Sequence, residues 1–161
     1  MKEMPSLSDL QKELKEQSVK DVLRIAMRLA KYKKENKELL YYLLHFSGNE
    51  SGYVEMAKEE MTTDFNEINR TNLYLAKKTL RKVVRKANKY VKFSDVDQTD
   101  LEIRMHLCLL MCNSGIKFHG SKVIMNIYKG QVLKIEKTFS KMHEDLRHDF
   151  KREYDLIMAW S

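Results

Sequence analysis

The chain has very little of what loops and sheets are made from. Its 161 residues include five glycines and one proline, Pro5, too few turn-formers for a fold of many short strands. Only two cysteines occur, Cys108 and Cys112. They sit one helical turn apart in an apolar run, a placement that does not suit a structural disulfide, and no metal-ligand spacing surrounds them. Both are therefore expected as buried, reduced thiols. No apolar stretch approaches the ~18 residues that a membrane-spanning helix needs, and the start MKEMPSLSDLQKELKEQ lacks the apolar core of a signal peptide. The expected location is cytoplasmic, so the sequons Asn49-Glu50-Ser51 and Asn69-Arg70-Thr71 read as chance matches. There is no glycine-rich phosphate loop, no G-x-S-x-G and no H-E-x-x-H. No reaction can be read from such a sequence, and neither enzymatic activity nor a cofactor is expected.

What the chain does have is helix-forming material. Apolar residues make up 43% and charged residues 33%, a balance that argues against disorder. Lys, Glu, Leu and Met favour helices. The expectation is a single all-helical domain over 1–161, either a compact bundle or a short array of about six or seven antiparallel helices.

Taken in order, Ser6 with Asp9 and Ser18 with Asp21 read as two helix starts. Leu7, Leu10 and Leu14 form a thin stripe on the first helix. Val19, Val22, Ile25, Ala26, Leu29 and Tyr32 form a fuller one on the second. Asn36 is a candidate cap for the run Leu39–Phe46, which is apolar almost all round and is expected at the centre of the fold. Ser47 to Gly52 is the clearest loop. The segment after it buries Val54, Ala57, Met61, Phe65 and Ile68 on one side and shows Glu55, Glu59, Glu60, Asp64 and Glu67 on the other. Thr99 and Glu102 read as a capping box opening a second central helix, Ile103–Cys112, which Asn113-Ser114-Gly115 ends. From Ser121 a helical stripe runs from Ile124 to Ile157, as one helix or two, with Gly130 a candidate bend.

Between the acidic segment and the central helix lies the most distinctive stretch, Asn72 to Phe93: NLYLAKKTLRKVVRKANKYVKF. Leu73, Ala76, Leu80, Val83, Val84, Ala87 and Val91 recur at steps of three and four and form a buried stripe. Lys77, Lys78, Arg81, Lys82, Arg85, Lys86, Lys89 and Lys92 cover the rest, with no Asp or Glu among them. The whole chain carries 30 basic and 23 acidic side chains, a net of +7, so without these eight cations its balance would be −1. The positive excess is thus concentrated on one helix. Such a face can attract nucleic-acid phosphates, with Tyr74 and Tyr90 placed to stack on bases. The short turn at Asn69–Asn72 also brings the acidic segment alongside, and some of the cations can then pair within the molecule.

The remaining chemical cluster is His143-Glu144-Asp145 with His148-Asp149. Glu144 and His148 are one turn apart, as two metal ligands on a helix would be. The projection turns both toward water, however, and no third ligand stands at a telling distance, so no metal site is expected. His45, His106 and His119 are isolated and read as structural or surface residues.

The stretches LAKYKKENKELLYYLLHF, KKTLRKVVRKANKYVKFS and KMHEDLRHDF resemble those of small, all-helical bacterial proteins of uncharacterised function. The resemblance spans most of the chain and implies an independent domain, without bringing an activity or a site. The expected function is a non-enzymatic interaction module that receives a protein partner on a helical face or groove. The alternative is a nucleic-acid-associated protein that binds phosphates through helix 72–93.

Overall fold

A computed structural model describes residues 3–161, and among these there is no strand. Eight α-helices follow one another: α1 (Leu7–Lys15), α2 (Val19–Tyr32), α3 (Lys34–His45), α4 (Glu50–Asn66), α5 (Leu73–Phe93), α6 (Asp97–Asn113), α7 (Lys122–Lys141) and α8 (Glu144–Trp160). A 3-10 turn, Phe118–Gly120, precedes α7. The all-helical expectation holds, with eight helices in place of six or seven. The stretch after Ser121 is two helices. It breaks at Met142–His143, where Met142 is extended (ψ 150°) and the His143 side chain caps α8. Gly130 is not the break, since α7 runs through it.

The chain divides into two compact units, one ending at His45 and the other beginning at Phe46. In the first unit, Ser6 and Asp9 make a reciprocal capping box on α1, and Ser18 Oγ accepts from the Asp21 N–H at 3.1 Å to start α2. Asn36 does not cap α3. It lies inside that helix and its Nδ2 donates to the Leu29 carbonyl at 2.8 Å, tying α3 back to α2. Among the described residues of the first unit, only Ala30 and Tyr42 are buried. The run Leu39–Phe46 is therefore not the enclosed centre that its composition led us to expect, for Tyr41, Leu43 and Leu44 are 56%, 52% and 70% exposed. An all-round apolar helix needs neighbours on every side, and within this unit α3 packs mainly against α2.

The second unit holds the core. α6 packs against α4, α5, α7 and α8, and its Leu101, Ile103, Leu107 and Cys108 are fully buried, as expected for Ile103–Cys112. Its start differs from the sequence reading. α6 begins at Asp97 without a side-chain cap, and Thr99 and Glu102 reach across to α4 instead. Thr99 Oγ1 donates to Glu50 Oε2 at 2.6 Å, and Lys58 Nζ donates to Glu102 Oε2 at 3.1 Å. At the other end Gly115 takes a left-handed φ of 74°, which ends the helix at a cost that only glycine escapes. Gly52 has a different reason to be glycine. A Cβ there would lie 2.4 Å from Asn49 Nδ2, and Asn49 needs that space to cap α4.

Candidate interaction surfaces

Helix α5 starts where the sequence placed it. The Asn72 side chain accepts from the Leu75 N–H at 3.1 Å, and Asn69 Oδ1 accepts from the N–H groups of Thr71 and Asn72. Ala76, Leu80, Val83 and Ala87 are fully buried. α4 and α5 run antiparallel, since partners on α5 climb in number as those on α4 fall. Lys82 meets Asp64, Lys86 meets Glu60, and the Tyr53 hydroxyl donates to the Tyr90 carbonyl at 2.9 Å.

This pairing divides the eight cations. Lys82 and Lys86 lie on the flank of α5 that meets α4, and both grip the Asp64 carboxylate, at 3.1 Å and 2.7 Å. Lys86 also lies 3.4 Å from Glu60, and Lys82 4.0 Å from Glu67. Lys86 holds the Asp64 carboxyl below its ordinary range, although burial works the other way. Of the acids on that face of α4, Glu60, Asp64 and Glu67 meet the basic helix, whereas Glu55 and Glu59 make no ion pair with it among the described residues.

Lys78, Arg81, Arg85 and Lys92 are exposed, and among the described residues their side chains make no hydrogen bond or ion pair. At 100° per residue they fall within about 60° of one another, on the side away from the buried stripe. Lys77 and Lys89 lie at the margins, with Lys77 Nζ 4.8 Å from the centroid of the Tyr74 ring and Lys89 Nζ 5.9 Å from that of Tyr90. Tyr74 is 65% exposed on the same outward side, whereas Tyr90 is buried with its hydroxyl donating to Glu60. Of the two tyrosines, only Tyr74 is exposed.

The second surface is apolar and was not foreseen. On α1 to α3, Leu7 and Val19 are 86% and 88% exposed, and Leu23, Leu29, Tyr32 and Leu44 lie between 61% and 77%. α1 buries no residue. The clue in the sequence was the width of the apolar arc on α2. Val19, Val22, Leu23, Ile25, Ala26, Met27, Leu29 and Tyr32 span well over half the helix circumference, more than one neighbouring helix can cover.

Other chemistry-bearing groups are tied into the structure. Cys108 is buried and Cys112 half-buried, both free, and burial raises both thiols above their ordinary values. Thr62 and His106 look at first like a hydroxyl and its base, with Oγ1 and Nε2 2.8 Å apart. But Thr62 Oγ1 donates its one proton to the Lys58 carbonyl at 2.8 Å, so His106 Nε2–H is the donor to Thr62. Burial, helped by Lys58, lowers the His106 pKa and keeps the ring neutral. Glu144 and His148 are exposed on α8 beside a hollow also lined by Arg147 and Lys151, two cations that oppose a divalent ion. Among the described residues there is no group of three or more His, Cys, Asp or Glu side chains able to hold a metal. None of their helices is long and apolar enough to cross a membrane.

Sequence reasoning also missed Arg104, which is 7% exposed. Its Nε donates to Asp100 Oδ1 at 2.6 Å, and its Nη1 donates to Asn88 Oδ1 and Gln131 Oε1, each at 2.9 Å. This one guanidinium links α5, α6 and α7.

These features define a class: an all-helical protein with a basic helix partly neutralised by its acidic neighbour and with many exposed apolar side chains on α1 to α3. No protein-family model, curated protein or solved structure matches the chain.

Proposed function

We propose that the chain works as a non-enzymatic helical interaction module, docking through the apolar face of α1 to α3, and that a second copy of the same face is its partner. The observation that carries this reading is the exposure of apolar side chains from Leu7 to Leu44. A nine-residue helix such as α1 is marginal in water on its own, and each Leu taken from full exposure to full burial contributes ~1.5–3 kcal/mol. A partner that covers this face would stabilise helices that bury almost nothing within the unit.

Charge points to a like copy. On α1, Lys12 is held by Asp9 at 3.5 Å, and on α2 Arg24 is held by Asp21 at 3.6 Å. Among the described residues, what remains unpaired on α1 is acidic Glu13 beside the stripe, with Glu16 and basic Lys15 near the helix end, and on α2 it is basic Lys20, Arg28 and Lys31. The α1 of one copy can lay its leucines on the α2 arc of another with opposite charges at the rim, and a two-fold axis repeats the contact.

Sedimentation velocity across the micromolar range tests this. The wild type should dimerise, and Leu23→Asp with Leu29→Asp should give a monomer whose second unit still unfolds cooperatively. A wild type that stays monomeric throughout that range, or a dimer that survives both substitutions, contradicts the reading.

A further inference from the structure

A different observation, independent of α1 to α3, concerns what α5 carries on its outward side. The helix holds like charges one turn apart at Lys77 and Arg81, Lys78 and Lys82, Arg81 and Arg85, Lys82 and Lys86, and Arg85 and Lys89. Each such pair weakens a helix. Its first turn has no acid to complement the helix dipole. For Lys82 and Lys86 the compensation is visible, because Asp64 and Glu60 meet them. For Lys78, Arg81, Arg85 and Lys92 no such compensation is seen among the described residues: they are exposed and make no ion pair there.

We propose that Lys78, Arg81, Arg85 and Lys92 bind the phosphate backbone of a single-stranded nucleic acid, with the Tyr74 ring stacking on one base. From Lys78 to Lys92 the row is about 21 Å long at 1.5 Å per residue, enough to follow several successive phosphates. Arginine and lysine both contact phosphates without reading sequence. The outward arc carries no apolar side chain between its cations, so it lacks the wedge by which an amphipathic helix enters a lipid surface. Tyr74 lies one turn before Lys78, at the end of the row. Its ring is 65% exposed, with Lys77 Nζ 4.8 Å from its centroid. An aromatic platform at the end of a cationic track is how proteins hold single strands with little sequence preference.

The test is fluorescence anisotropy with a labelled single-stranded oligonucleotide of mixed sequence, alongside its duplex form and vesicles containing phosphatidylserine. With four phosphates engaged at roughly −0.7 each, affinity for the single strand should fall about 50-fold between 50 and 200 mM salt. Converting Lys78, Arg81, Arg85 and Lys92 to Gln should abolish binding. Converting the exposed Lys122, Lys129, Lys134 and Lys137 of α7 to Gln removes the same net charge and should leave it largely intact. Tyr74→Ala should weaken the single strand about tenfold and the duplex much less. Should the fourfold variant misfold by circular dichroism, Arg85→Gln alone suffices: it should flatten the salt slope by about 0.7. Absence of binding at 50 mM salt overturns the proposal. So does equal loss in the α7 control, an unchanged slope in Arg85→Gln, or binding to the vesicles without binding to the oligonucleotide.

Discussion

Arg104 offers the sharpest check on how the second unit is held together. Its side chain is 8% exposed and that of its ionic partner Asp100 is 28% exposed, while Gln131 is 5% exposed. Replacing it by Met fills much of the space but leaves the acceptor oxygens of Asp100, Asn88 and Gln131 without their donor. Breaking a buried pair by removing one partner costs ~3–5 kcal/mol. Asp100 can turn partly to water, which places the expected loss near the lower end, about 3 kcal/mol, set against a typical total of ~5–15 kcal/mol. Urea unfolding followed by circular dichroism reads this as a lowered midpoint at unchanged slope. Arg104→Lys keeps the charge but not the fork, and should lose ~1–2 kcal/mol. Adding Gln131→Leu to Arg104→Met removes one orphaned acceptor, so the double variant should be more stable than the sum of the single losses by about 1 kcal/mol. A loss below about 1 kcal/mol for Arg104→Met, or strict additivity in the pair, would refute the reasoning that this network links α5, α6 and α7.

Two further outcomes follow from buried groups. Cys108, fully buried and with its thiol pKa raised by that burial, should resist thiol reagents in the native protein and react only on unfolding; labelling at the rate of an unfolded control would show that α6 is not central. Asp64 is held below its ordinary value of 3.8, first by Lys86, so its contribution to stability is complete above that ordinary value and is lost as pH falls through the lower, folded one. Asp64→Asn should therefore flatten the acid side of the stability profile measured by unfolding below about pH 4; an unchanged acid limb would mean that the pair with Lys86 contributes nothing.

Much of the second unit could be read from spacing. α5 runs from Leu73 to Phe93 with Asn72 as its cap, because apolar residues at steps of three and four and an Asn before them act locally. The end of α6 at Ser114-Gly115 has the same origin. α3 was misread for a different reason. Apolar composition says that Leu43 and Leu44 favour burial, not whether the unit has enough helices to cover them. The Arg104 network was hidden because its members lie on three helices, 16 and 27 residues away. Its one local sign was a lone arginine in an apolar run. The division of the α5 cations was half visible. The projection separates Lys82 and Lys86 from Lys78, Arg81, Arg85 and Lys92, but only the side on which α4 packs decides which group is neutralised.

That division can be measured directly by comparing the urea unfolding of two variants with equal loss of charge. Lys82→Gln with Lys86→Gln strips the Asp64 carboxylate, 12% exposed, of its partners. The loss should be about 1–2 kcal/mol, held down by the half-exposed Lys82. Arg81→Gln with Arg85→Gln removes repulsion between neighbours, and should leave stability unchanged or raise it by ~0.2–0.5 kcal/mol for each like-charge pair relieved. Equal losses in the two variants, or a larger loss at Arg81 and Arg85, would contradict the separation of α5 into a structural flank and a free basic ridge.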